Sequence, residues 1–215
     1  MPGAAMPSTD VLLAFIATTA VFAFIPGPAM LYATARTLAG GRAAGLMASL
    51  GIHLGCYLHV FAAAAGLSVL FHAVPTLYLA VKLAGAAYLV WLGIAMFRAV
   101  PAGEVAMPML RPKSPRRAFA ESVAVEVLNP KTAIFFMAFL PQFVDAAASL
   151  PVWAQLLMLG TVVNMTFSLA DLVCVMLAGS LANQLKRSGR AQRWMQRAGG
   201  TILVGLGVNV ALQRG

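Results

Sequence analysis

The feature that most restricts this chain is the length of its uncharged stretches. Residues 11–35 hold no charged side chain over 25 positions, and residues 43–71 run for 29 interrupted only by His53 and His59. About 20 apolar residues suffice for a helix to cross a bilayer. In hydrocarbon every backbone polar group must be bonded within the chain, a condition an α-helix meets. Four further runs follow: 76–97 with Lys82 inside, 118–144 with Glu121, Glu126 and Lys131, 152–185 with Asp171, and the shorter 198–213. The last is extended by arginines at 193–197 whose charged heads can snorkel. Six spans are expected.

Composition supports this. The chain is 61% hydrophobic and 10% charged, with mean hydropathy +0.86, whereas soluble domains carry about 25% charged residues. The net charge of +9 does not point to nucleic acid, because it falls between apolar runs rather than on one solvated face. Cys56 and Cys174 lie inside apolar runs, without a disulfide framework or a CxxC motif, and read as small buried hydrophobes. Residues 1–10 contain no Lys or Arg, so the basic start of a secretory signal is missing and the first run is expected to remain as a span.

Basic residues set the orientation. Arg36 and Arg42 lie in the first connection. Arg98, Arg111, Lys113, Arg116 and Arg117 lie in the third, and Lys186, Arg187, Arg190, Arg193 and Arg197 in the fifth. Odd connections are therefore expected on the cytoplasmic side and both termini on the periplasmic or extracellular side. Topology alone accounts for these charges, and a lipid-headgroup contact at 186–197 is a further reading. The third connection carries Pro101, Pro108, Pro112 and Pro115. It reads as a linker (about 99–117) between repeat one (about 10–98) and repeat two (about 118–213) of one transmembrane domain, 1–215. Two units of three spans must face opposite ways, which gives an inverted repeat.

Each repeat opens on a span broken by proline, at Pro26-Gly27-Pro28 and at Asn129-Pro130-Lys131. Proline inside a helix removes a donor and clashes with the preceding turn, a penalty of about 3 kcal/mol or more. At membrane depth such a break survives only where protein buries it or a wet cavity adjoins it. A plain kink is one reading. Discontinuous helices in corresponding positions of two halves are also the best sequence pointer to a transporter site. Each break exposes a half-helix N-terminus, near Ala29 and Thr132, suited to a carboxylate.

Ionisable residues inside spans are costly and usually functional. Lys131 follows the second break, with Glu126 five residues before it and Asp171 in the fifth span. Lys131 can pair with Asp171 or Glu126 to hold helices together. Alternatively, Asp171 or Glu126 neutralises a substrate ammonium or carries the coupling proton. Glu121 is expected to snorkel to the cytoplasmic side, and Lys82 outward. His53 and His59 are six apart, about 240° around a helix, so they cannot hold one metal together. His59 is either a proton relay or a hydrogen-bonded structural residue. Gly51 and Gly55, with Gly41 and Gly45 before them, form small-residue faces for close helix packing. Tyr88, Trp91 and Phe97 fit an interfacial belt. The Asn164-Met165-Thr166 sequon lies in a span and is set aside.

Together the motifs resemble the lysine-exporter and homoserine/threonine-exporter family of bacterial amino-acid efflux permeases. The matching stretches are Pro26-Gly27-Pro28, then Gly41-Arg42-Ala43-Ala44-Gly45 leading into Gly51, Gly55 and His59. The run from Lys82 through Gly85 and Tyr88 to Trp91 and Gly93 follows, then Asn129-Pro130-Lys131 and Phe139-Leu140-Pro141-Gln142-Phe143. The resemblance covers about 10–212. It implies an all-α membrane protein of six transmembrane helices that exports amino acids or close derivatives across the bacterial inner membrane, driven by protons. The partners so implied are a small-molecule amino-acid substrate, protons and the lipid bilayer, with room for a homodimer. No nucleic acid or cofactor is expected. Pro26, Gly27, Pro28, Asn129, Pro130, Lys131 and Glu126 are the expected substrate-binding residues, and Asp171 and His59 the proton-coupling ones. Glu126 stands where the family often has Asn, and His53 where a polar amide is common. An added carboxylate favours a cationic substrate.

A cation or metal-ion exporter of the same superfamily is the alternative, and the lack of a close His/Cys/Asp cluster argues against it. A membrane enzyme would need a nucleophile–base pair or a metal motif, and neither HExxH nor GxSxG is present.

Overall fold

The structure is a computed structural model that describes residues 9–98, 111–145 and 147–178, with isolated helical positions between 197 and 208. The described residues are helical, without strands: α1 (Thr9–Ala23), α2 (Pro28–Ala73), α3 (Pro75–Arg98), α4 (Pro115–Val127), α5 (Pro130–Phe139), a 3-10 turn (Leu140–Phe143) and α6 (Val152–Met176). The expected run 198–213 and the basic stretch 186–197 lie almost wholly outside the described residues.

The prolines start helices rather than interrupt them. Pro28, Pro115 and Pro130 stand in the first turn of α2, α4 and α5, where the missing N–H would have been unpaired anyway. The expected span 11–35 is thus split between α1 and the start of α2, and 118–144 between α4 and α5, whose axes meet at 47°. Inside α2, Gly41 has φ 78° and ψ 178°, a left-handed backbone that costs glycine least. There two helices meet end to end, and the first connection shrinks to almost nothing. By length and composition α2 and α6 can each cross a membrane, and the bent α4–α5 pair is apolar enough to form either a broken third span or a re-entrant loop. α1 and α3 contribute shorter apolar helices.

Leu46, Leu50, Leu54 and Leu58, every fourth residue of α2, are exposed, as suits a face against lipid. A neighbouring face carries Gly51 and Gly55. A Cβ on Gly51 would lie 2.4 Å from the Phe119 carbonyl oxygen and one on Gly55 2.9 Å from that of Val123, so α2 and α4 touch backbone to backbone. Gly85 of α3 meets the Ala138 backbone in the same way, at 2.7 Å. Gln142 fixes that contact by donating Nε2–H bonds to Lys82 O (3.0 Å) and Ala138 O (2.8 Å). The core is aromatic: Phe22 stacks on Phe135 at 3.9 Å between centroids, Phe135 on Phe139 at 4.5 Å, and Phe15 on Phe139 at 5.4 Å.

Glu121 is partly exposed, at one end of the bundle. Rather than reaching out alone, it accepts from Tyr32 Oη (2.9 Å), Arg36 (3.1 Å), Lys113 (2.5 Å) and Arg117 (3.1 Å). Arg36 is buried and also donates to Arg111 O at 2.9 Å. Basic residues of the first and third connections therefore gather at one end of the bundle, on one carboxylate.

Candidate functional site

The first break leaves two helix ends unfinished. α1 stops at Ala23, so the carbonyls of its last turn have no following turn to bond them. α2 begins with Gly27 as its cap, a residue without a side chain to offer, and its first turn has no side-chain cap. The second break is finished differently. Asn129 caps α5, its Oδ1 accepting from Lys131 N at 3.1 Å, while its Nδ2 donates to Glu126 Oε2 (2.9 Å) and Thr132 Oγ1 (3.0 Å).

Lys131 crosses from the second break to the first. Its ammonium donates to Phe22 O at 3.2 Å and to Ile25 O, and lies 4.5 Å from the centre of the Phe22 ring. Its stem runs over Gly27, where a Cβ would be 2.7 Å from Lys131 Cδ. Neither Asp171 nor Glu126 forms an ion pair with it; among the described residues the ion pairs are those of Glu121. The expected pairing of Lys131 with a carboxylate is thus replaced by capping of α1. The reason is local: α1 ends there, so no following helical turn bonds Ile25 O, and Phe22 O receives a single backbone bond, from Ile25 N at 3.2 Å, which leaves it room for a second donor.

Between the breaks lies a cavity of about 30 Å³, lined by Gly27, Ala29 and Met30 of the first break, Glu126, Asn129, Lys131 and Thr132 of the second, and Asp171 of α6. Ala23, Ile52, Cys56 and Phe167 complete the wall. At roughly 10–15 Å³ per water, this volume holds about two or three waters. Glu126 and Asp171 are 2% and 5% exposed. Glu126 has its Asn129 partner, whereas Asp171 accepts no hydrogen bond from the described residues.

Of the expected site residues, Gly27, Glu126, Asn129, Lys131 and Asp171 line this cavity. Pro26, Pro28 and Pro130 have their side chains exposed and shape the breaks instead. His59 stands behind the cavity, donating Nε2–H to Glu126 O at 2.9 Å. His53 Nδ1 meets Ser168 Oγ at 2.6 Å, and Ser168 donates to Asn164 O at 2.8 Å. Asn164, set aside in the sequence, holds His53 O through Nδ2 at 3.2 Å. Thr132, Cys56, Phe167 and Met30 were not singled out as wall residues. The signal for Cys56 was its register, one turn beyond Ile52 on the inward face of α2. Among the described residues no group of three or more His, Cys, Asp or Glu side chains is placed to hold a metal ion.

Comparison with known proteins agrees with this architecture. The chain is 30% identical over 209 residues to the membrane protein YrhP of Bacillus subtilis, covering 94% of this chain and 98% of that protein. It is 27% identical over 205 residues to the homoserine/homoserine lactone efflux protein of Salmonella typhimurium, covering 94% and 96%. It is 28% identical over 139 residues to the leucine efflux protein of Klebsiella pneumoniae, covering 65% and 66%. No solved structure matches it. The LysE type translocator family matches residues 20–214, nearly the whole chain, and the protein belongs to that family of membrane translocators.

Proposed function

We propose that the protein is a proton-coupled secondary exporter of amino acids or close derivatives across the bacterial inner membrane. The observation that carries this reading is the charge layout of the cavity. A helix N-terminus without a side-chain cap and an ammonium stand on one wall, and on another the Asp171 carboxylate, to which no described residue donates. That layout complements a zwitterion. The substrate carboxylate goes to the N–H groups of the α2 start, beside Lys131. The α5 start is the weaker candidate, because Asn129 already caps it. The substrate ammonium goes to Asp171, which accepts no hydrogen bond from the described residues, in preference to Glu126. Asp171 then holds either the ammonium or a proton, which makes the two exchange. His59, bonded to the backbone beside Glu126, lies on the path proposed for that proton.

Relatives named for homoserine and leucine efflux support this cargo class. The six-span, inverted-repeat organisation with both termini outside follows from the matched breaks and from the positive-inside rule. Several non-hydrogen atoms of even the smallest amino acid exceed the present cavity, so loading requires the repeats to rock apart. The test is efflux of radiolabelled L-homoserine and L-leucine from proteoliposomes, with and without an imposed pH gradient. Asp171→Asn is expected to abolish gradient-dependent efflux while the protein stays in the membrane. Full activity in that variant would overturn the role given to Asp171.

A further inference from the structure

Lys131 joins the two broken helices by polar contacts, of an unusual kind for a membrane lysine. Its ammonium satisfies two carbonyls, Phe22 O and Ile25 O, at the open end of α1. It is held over the Phe22 ring, which is itself stacked between Phe135 of α5 and Phe167 of α6 at 3.9 and 5.9 Å. Its stem occupies the space that any side chain at position 27 would need. The same residue lines the cavity beside the uncapped α2 start. A carboxylate bound at that start therefore lies within reach of the ammonium, and competes with α1 for it.

We infer that Lys131 is a latch between the two breaks: in the closed cavity its ammonium pins the end of α1, and a cargo carboxylate at the α2 start draws it off and releases α1. The competition is favourable because a charge-assisted bond to a carboxylate is roughly twice as strong as one between neutral groups. The carbonyls left behind belong to residues within two positions of the wall residues Ala23 and Gly27 in the chain, so water entering with the cargo satisfies them in turn. Binding of cargo is thereby tied to loosening of the half-helix that closes its site, and an amine without a carboxylate cannot open it. The cargo arm rests on the exporter reading; the pinning of α1 does not. Lys131 is on this view a positioning residue for α1 as much as a wall of the site.

Cys56 reports the state of the latch. It lines the cavity at 1% exposure and is one of two cysteines, both free. In a Cys174→Ala background, its alkylation by N-ethylmaleimide is followed on the full chain in lipid vesicles. The rate is expected to be slow with Lys131 present and about tenfold faster in Lys131→Met, the population shift that follows loss of a charge-assisted hydrogen bond. Gly27→Ala is expected to do the same, since its Cβ displaces the lysine stem while leaving the charge; it decides the matter if Lys131→Met is not recovered as a monodisperse protein. L-homoserine or L-leucine is expected to change the rate in the parent, their amides are not, and neither changes it in Lys131→Met. A residue that merely held the fold would not confer that dependence on a carboxylate. Ligand-free rates in Lys131→Met and Gly27→Ala equal to the parent's overturn the latch. Accelerated ligand-free rates, with amino acids that are neither exported nor felt by the parent, leave the latch standing and overturn the exporter reading instead.

Discussion

Replacing Glu121 with glutamine keeps the shape of the side chain and removes its charge, at a point where the linker, α2 and α4 all meet. The three cations around it differ in exposure: Arg117 is 68% exposed, Lys113 28% and Arg36 3%, against 31% for Glu121 itself. The exposed Arg117 pair, one helical turn away, contributes about 0.3–0.5 kcal/mol, and the Lys113 pair at most about 1 kcal/mol. Arg36 is the decisive term. A buried charge stripped of its partner loses about 3–5 kcal/mol, and the partial exposure of Glu121 places this case near the lower bound. Arg36 retains Arg111 O at 2.9 Å and the Tyr32 ring at 5.0 Å, which do not replace a carboxylate. The summed loss is about 3–4 kcal/mol. For a chain of this size, about 2–4 °C of melting temperature accompanies each kcal/mol. Glu121→Gln should therefore melt roughly 10 °C lower and Arg117→Ala about 1 °C lower, as read by thermal unfolding of the purified protein in detergent. The Arg36→Met, Glu121→Leu double variant should recover part of the loss, because it leaves no charge uncompensated. If Glu121→Gln and Arg117→Ala melt together, Arg36 does not depend on that carboxylate and the reasoning fails.

Two other substitutions follow from the same contacts. Asn129→Ala removes the cap of α5 and the donor to Glu126. It should lower stability by about 1–2 kcal/mol, with Asn129→Asp retaining the cap but placing a second carboxylate against Glu126; melting curves of the two against the parent separate cap from charge. Gly51→Ala puts a Cβ 2.1 Å from Ser122 Oγ and 2.4 Å from Phe119 O. Because backbone cannot step aside, it should destabilise by about 1–3 kcal/mol or more, whereas Gly66→Ala, with nothing within 4 Å, should be neutral or stabilising by about 0.5–1 kcal/mol. Folded yield on size exclusion, followed by melting, distinguishes the two.

The breaks, the small-residue faces and the intramembrane charges were legible in the sequence because each is a local signature. Proline dictates where a helix starts, and glycine at four-residue spacing dictates which face can approach another backbone. What a long polar side chain does at the end of its stem is not local. Glu126 lies five positions before Lys131 and Asp171 in the fifth run, so pairing with one of them is one of the two readings open in the sequence. The partners of Lys131 are carbonyls more than 100 positions away, made available only because α1 ends there. Glu121 is a similar case. Its helix register placed it near a span end, but Tyr32 and Arg36 reach it from 89 and 85 positions away. The merging of two expected helices at Gly41 was hidden for a different reason: a single left-handed residue changes chain direction without any polar loop to announce it.

The two breaks look equivalent in the sequence, and their caps make them unequal. Asn129 satisfies the start of α5 with its own side chain and holds Glu126 at the same time. Gly27 can do neither, and it cannot be replaced by a capping residue while the lysine stem lies across it. The half-helix start that has no acceptor is therefore the one that Lys131 keeps bare. A chain that supplies a cap at one break and excludes one at the other has placed its unmet demand for an anion at a single point, next to the Lys131 ammonium and across from Asp171. Under the proposed export and latch, cargo recognition and the release of α1 share one set of atoms, so a substrate that failed to present a carboxylate there would be refused twice, first by the helix start and then by the latch.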